Sequence, residues 1–198
     1  MYATSAVRDA ENSDALDHAI LLACGQPLRI ISGEEEARFS LLGSAGYAPG
    51  AVIDIGGGST ELAYYDADLN PQCLSLQLGA SRLFQVCPIH EVTDAQKAIL
   101  AARRVIQAES AAPASFPADS AVYLVGGTGT ASARMIAHTD VAEGVRLSRD
   151  SVNQLLSQIA PLTPLEREMI PGCPKGRGNI LPTGLAILCA VMESTGLS

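Results

Sequence analysis

The chain has 198 residues, 47% hydrophobic and 17% charged, with 13 Lys and Arg against 21 Asp and Glu for a net charge of −8. That length and apolar content exclude a miniature disulfide scaffold and a disordered acidic chain, because enough surface can be buried to offset the conformational entropy of folding. The acidic balance argues against a general nucleic-acid binder, yet every basic residue except Lys97 and Lys175 is Arg, the side chain best suited to a local anion site.

From Asp14 to Ala23, Leu16, Ala19, Ile20 and Ala23 recur at helical spacing, and Gly25 follows as a stop. Before that helix, Arg8 lies in ATSAVRDAEN between a short apolar strand and the helix start. A short strand is expected over Pro27 to Ile31. Ser32-Gly33-Glu34-Glu35 has the form of a capping box that opens a helix running to Gly43, lined by Ala37, Phe39 and Leu42. The segment AVIDIGGGSTELAYYD, residues 51–66, reads as a β-hairpin: Val52 to Ile55, a glycine triplet, then Glu61 to Tyr65. A third strand, Cys73 to Leu78, extends the meander after the Asn70-Pro71 turn. Helices follow from Gly79 and from Asp94 to Ala108, then a surface loop over Ser110 to Ala118. Ala121 to Val125 reads as a buried strand entering Gly126-Gly127-Thr128-Gly129-Thr130 and another helix. Helices over Ser148 to Ile159 and Gly184 to Met192, joined by a Pro-rich connection, complete the order. The sum is mixed α/β, neither all-helical nor a β-sandwich.

Cys24, Cys73, Cys87, Cys173 and Cys189 form no C-x-x-C pair, which points to reduced thiols. The N-terminus reaches charge by Arg8 without an apolar signal core, and the longest apolar stretch, Ile180 to Met192, is short for a membrane span and contains Pro182. A cytoplasmic protein with no membrane or nucleic-acid partner is expected.

Three features could carry chemistry. The first is Asp54-Ile55-Gly56-Gly57-Gly58-Ser59-Thr60-Glu61. Consecutive glycines bring backbone N–H groups close to an anion, and the flanking carboxylates suit Mg²⁺ held beside phosphate. The residues alone also allow a tight turn with two solvated acids. The second is the loop from Gly126 to Thr130, a strand-to-helix glycine loop whose N–H groups favour negative charge but which lacks the lysine of a P-loop. A compact βα turn is the plainer reading. The third is Glu34-Glu35-Glu36: capping accounts for Glu35 and the helix N-terminus for Glu34, leaving Glu36 free to activate a water or to face solvent. Arg8 and the basic loop Lys175-Gly176-Arg177 are more ordinary surface features by spacing, and His18, His90 and His138 share no pattern.

Taken together, ATSAVRDAEN (3–12), IISGEEEARFSLLG (30–43), AVIDIGGGSTELAYYD (51–66), VGGTGTASA (125–133) and GRGNILPTGLAIL (176–188) resemble the Ppx/GppA family of exopolyphosphatases and guanosine pentaphosphate phosphohydrolases. The stretches stand in family order along nearly the whole chain, and the pairing of ISG-x-EEAR with DIGGGSTEL is specific. The resemblance implies the ribonuclease H-like superfold shared by actin, sugar kinases and chaperone ATPases. It implies Mg²⁺-assisted hydrolysis of a terminal phosphoanhydride, with polyphosphate or guanosine pentaphosphate as substrate. By position, Glu36 matches the family's general base, and Asp54 and Glu61 its metal-associated carboxylates. Gly56, Gly57, Gly58, Ser59 and Thr60 match the phosphate loop, Gly126, Gly129 and Thr130 the second glycine loop, and Arg8 an arginine facing the anion.

The family pattern begins earlier, with a D-x-G-S-N-S loop, and continues past the last helix into S-D-x-G-x-R-E-G. On that comparison the chain is expected to be a fragment or a reduced form: residues 1–42 the end of a first ribonuclease H-like subdomain, 43–198 a second one truncated at its C-terminal end. A homodimer or a completing partner chain would then supply the other wall of a cleft. Asn179 stands where the family pattern has Asp. The alternatives are a phosphate- or alarmone-binding module without catalysis, and an ATP-dependent kinase of the same superfold.

Overall fold

A computed structural model describes residues 1–109, 116–117 and 120–198; apart from Phe116 and Pro117, the surface loop expected over Ser110 to Ala118 lies outside the described residues. Two sheets organise the chain. A two-stranded parallel pair joins β1 (Tyr2–Ala3) to β2 (Arg29–Ile30). The principal sheet has the order β5 (Pro71–Leu76), β4 (Thr60–Tyr65), β3 (Gly50–Ile55), β6 (Ala121–Val125), antiparallel except for the parallel β3–β6 pair.

The two faces of this sheet are covered differently. Ile53 and Ile55 point into the main core, built on α9 (Leu181–Thr195), whose residues from Leu181 to Met192 are all buried. Around it stand α4 (Ala80–Val86), α5 (Val92–Glu109), α6 (Gly126–Ala137) and α7 (Arg149–Ile159). Close approach of α5 rests on a stripe of small residues, Ala95, Ala98 and Ala102. Likewise α9 lies against the start of α6 at Gly184, where a Cβ would sit 2.5 Å from Thr128 Oγ1. The other face carries α3 (Gly33–Ala45), whose Ala37 and Leu41 pack on Val52, Ala63 and Tyr65.

Several expectations are corrected. Arg8 is the last residue of a one-turn helix, α1 (Ser5–Arg8), because the chain turns at once after β1 instead of continuing extended. On α3 the buried positions are Ala37 and Leu41, while Phe39 is 48% and Leu42 38% exposed. Gly33, where a Cβ would stand 2.2 Å from Ser75 Oγ, and the small Ala37 let α3 lie close to the strands. Among the described residues the strand β6 pairs only with β3, at the edge of the sheet, and Ala121 and Tyr123 are exposed instead of buried. Within the Pro-rich connection, Thr163 caps an unanticipated helix, α8 (Pro164–Met169), through a reciprocal box with Glu166 and a proline at its start. The helix α2 (Ser13–Cys24) forms as expected, with Gly25 left-handed at φ 68°, but buries none of its residues; Leu22 is 74% exposed.

Candidate active site

The capping box at Ser32 sorts the three glutamates. Glu35 N–H donates to Ser32 Oγ (3.1 Å) and Ser32 N–H to Glu35 Oε2 (3.0 Å), while Arg29 holds the other Glu35 oxygen at 2.6 Å. Glu35 is thereby occupied, and its neighbour Glu36 turns toward the principal sheet. Its Oε2 lies 3.7 Å from Arg8 Nη1. Glu36 Oε2 and Arg8 Nη2 are buried without a hydrogen-bond partner, while Arg8 Nη1 donates to Ile31 O at 2.6 Å. Burial raises the pKa of Glu36 above its ordinary value; Arg8 opposes the rise and Asp54 adds to it.

Asp54 and Glu61 stand directly opposite each other in the β3–β4 register and therefore share the sheet face that α3 covers. Asp54 Oδ2 accepts from Ser40 Oγ at 2.7 Å, and Glu61 Oε1 accepts from Ser75 Oγ at 2.9 Å. Glu61 is only 1% exposed, and burial pushes its pKa from 4.5 up to about 7, with Ser59 as a hydrogen-bonding partner and the charges of Glu36 and Asp54 adding to the rise. Three carboxylates from α3, β3 and β4 thus sense one another. Among the described residues no group of three His, Cys, Asp or Glu is arranged to hold a metal ion.

Between these strands, residues 56–59 make the tight reversal. Gly56 N–H donates to Ser59 O at 3.0 Å. At Gly79 a Cβ would stand 2.3 Å from Gly57 O, so the absence of a side chain there is what allows α4 to press against the loop. Two of the expected phosphate contacts are otherwise engaged: Ser59 is buried beside Glu61, and the buried Thr60 hydroxyl donates to Leu78 O.

The second glycine stretch, expected as a loop, is instead the opening of α6, since the helix starts directly at Gly126 after β6, and it meets the first loop. Gly126, at φ +79°, lets Asp54 Oδ1 approach to 2.6 Å of where its Cβ would be. Gly129 packs on Leu124 inside α6, and Thr130 Oγ1 donates to Gly126 O at 3.0 Å, so these two serve the helix more than the cleft. Sequence reasoning passed over Gly127 and Arg177. The Arg177 guanidinium occupies the space where a Gly127 side chain would be, and one cavity is lined by Gly56, Gly57, Ser81, Thr128 and Arg177. A basic residue in a glycine-bounded loop was visible, but its distance from Gly127 in the chain hid the contact.

The site can therefore offer a partly buried carboxylate, an adjacent guanidinium, glycine N–H groups and a carboxylate pair. The family model for the Ppx/GppA phosphatase family matches residues 1–195. The chain is 32% identical over 204 residues to a guanosine-5'-triphosphate,3'-diphosphate pyrophosphatase of Pseudoalteromonas atlantica, covering 98% of this chain and 40% of that protein. It is 29% identical over 219 residues to Exopolyphosphatase 1 of Mycobacterium bovis, covering 99% of this chain and 60% of that one. The solved structure of an exopolyphosphatase-like protein superposes with a TM-score of 0.84 at 25% identity, over 98% of this chain and 67% of the other. The chain thus spans about half the length of the two relatives it matches in sequence. The architecture is the mixed α/β, actin-like ribonuclease H fold that the family resemblance implied.

Proposed function

Since the chain belongs to the Ppx/GppA phosphatase family, we propose that it releases terminal orthophosphate from polyphosphate or guanosine pentaphosphate by attack of water on phosphorus. The observation that carries this reading is Glu36: a partly buried carboxylate with a free oxygen and a raised pKa, beside Arg8 and facing the carboxylates of the glycine hairpin. A general base needs a lone pair that no donor has taken and gains from a raised pKa; Glu36 Oε2 has no hydrogen-bond partner, and burial raises the pKa of its carboxyl. Its role is to orient the water and take its proton.

Arg8 offers positive charge to the oxygens of the phosphoryl group under attack, and the N–H groups of Gly57 and Gly58 take oxygens on the other side. Asp54 and Glu61 would hold Mg²⁺. This ion usually takes one or two carboxylates and completes its shell with water and phosphate oxygens, and a buried carboxylate titrating near 7 is one that a cation would relieve. When bound, the ion supplies charge neutralisation on the phosphate oxygens. Arg177, beside Gly127, extends the positive lining to the second glycine loop. Five free cysteines, and no helix among the described residues long and apolar enough to cross a membrane, support a cytoplasmic setting.

Orthophosphate release from long-chain polyphosphate, guanosine pentaphosphate and ATP, each with and without Mg²⁺, tests the reading. Release from either of the first two is expected, and Glu36→Gln should lower it by about 10²- to 10⁴-fold while leaving substrate binding intact. Unchanged turnover in that variant overturns the base assignment. Binding without release from any substrate would favour a phosphate-binding module, and release confined to ATP a nucleotide-directed member of the superfold.

A further inference from the structure

Three successive carbonyls of the β3–β4 loop are captured from one side. Gly56 O accepts from Ala80 N–H at 2.9 Å, and Gly57 O from the N–H groups of Ser81 and Arg82 at 2.9 and 3.1 Å. Gly58 O accepts from Arg82 Nε at 2.8 Å. In a trans peptide the carbonyl of one residue and the N–H of the next point in opposite directions. Capturing the three carbonyls on the α4 side therefore turns the N–H groups of Gly57, Gly58 and Ser59 to the far side, and they find no acceptor among the described residues.

The first two carbonyls are held by backbone groups that any side chain would leave in place. The third depends on one side chain. The other end of Arg82 donates from Nη2 to Asp9 Oδ2, which also accepts from Ser5 Oγ at 3.3 Å. Ser5 in turn lies against the loop, since a Cβ on Gly58 would come within 2.5 Å of its Oγ. Asp9 directly follows Arg8, the guanidinium beside Glu36.

We infer that Arg82 is a positioning residue: one guanidinium fixes the Gly58–Ser59 peptide and the turn that carries Arg8, so that the backbone and side-chain contacts to a phosphate arrive in register. The inference rests on the phosphohydrolase reading only for the identity of the anion. Because the Arg82–Asp9 pair is about 40% exposed on each side, it adds little to global stability, and its worth lies in local geometry.

The test uses the full chain, with tripolyphosphate as the binding probe in calorimetry, amide hydrogen exchange at Gly56, and orthophosphate release. Arg82→Gln should weaken tripolyphosphate binding and raise KM about tenfold, with a smaller change in kcat, since misplaced contacts lose pre-organised binding. Exchange at the Gly56 amide, which closes the reversal on Ser59 O, should quicken in the same variant, with the thermal midpoint nearly unchanged. Arg82→Lys, which can reach one acceptor but not both, should recover part of the loss. Asp9→Asn should weaken binding less, and the double variant should be no worse than Arg82→Gln alone. Wild-type binding and exchange in Arg82→Gln, or additive losses in the double variant, overturn the inference. If the binding and exchange pattern holds while no chain releases orthophosphate, the strap stands and the hydrolase reading falls.

Discussion

In metal-free buffer the stability of the protein should fall as the pH rises from about 4.5 to about 7, and Glu61→Gln should remove most of that fall. Unfolded, Glu61 ionises near its ordinary 4.5; folded, it keeps its proton until about 7 because burial penalises the charge. Between those values the native state binds a proton that the unfolded state has released, so stability declines with pH at up to about 1.4 kcal/mol per pH unit. The contribution is fully present below about 4.5 and lost above about 7, a total of about 3 kcal/mol. At 1% exposure, little of this is screened by solvent. Glutamine keeps an oxygen for Ser75 Oγ but cannot ionise, so the variant isolates the charge from the hydrogen bond. Urea unfolding followed by circular dichroism in chelator, from about pH 5 to about pH 8, gives the slope directly. Glu36, also raised, contributes with the same sign, so the wild-type-minus-variant difference is the quantity to read. Mg²⁺ held by the ionised carboxylate should flatten the wild-type curve and leave the variant unmoved. An identical pH slope in the two proteins, or wild-type stability that rises over this range, refutes the reasoning.

Two further substitutions probe the scaffold. Gly79→Ala should cost several kcal/mol, on the order of 1–3 or more, and weaken anion binding, because its Cβ would meet the Gly57 carbonyl at 2.3 Å and backbone cannot step aside. By contrast, Gly43→Ala, which meets nothing within 4 Å inside α3, should raise stability by up to about 1 kcal/mol; thermal unfolding of the pair separates close approach from simple helix propensity. Arg167→Leu should be severe, about 3 kcal/mol or more, in the same assay. The buried guanidinium donates to the carbonyls of Ile159, Ala160, Gly178 and Ile89, and its loss strands four acceptors at once.

How much of this was legible varies with the range of the interaction. The Ser32–Glu35 box, the glycine hairpin and the Gly25 stop were readable because each is decided within a few residues by capping, turn chemistry or left-handed backbone. The same rules were available at Thr163–Glu166, where the prolines drew attention from a second box. The sequence placed Asp54 and Glu61 on either side of the glycine reversal, and the strand register set them directly opposite each other. Arg82 was not legible: its Asp9 partner lies 73 positions away, and nothing local marks a half-buried arginine in a short helix as a strap. Arg177 and Arg167 escaped for the same reason, the latter reaching Ile89 across 78 positions.

The sequence by itself therefore determined the local elements, the glycine hairpin and the carboxylates beside it, because those depend on short spacing and residue type. Only the tertiary structure decided which carboxylate is free and which is occupied, and why Glu61 holds its proton toward neutrality. It also decided which arginines reach the loops. Burial and long-range hydrogen bonds are properties of packed surfaces, and no spacing along the chain encodes the closeness of α3, α4 and the loop before α9 to one hairpin.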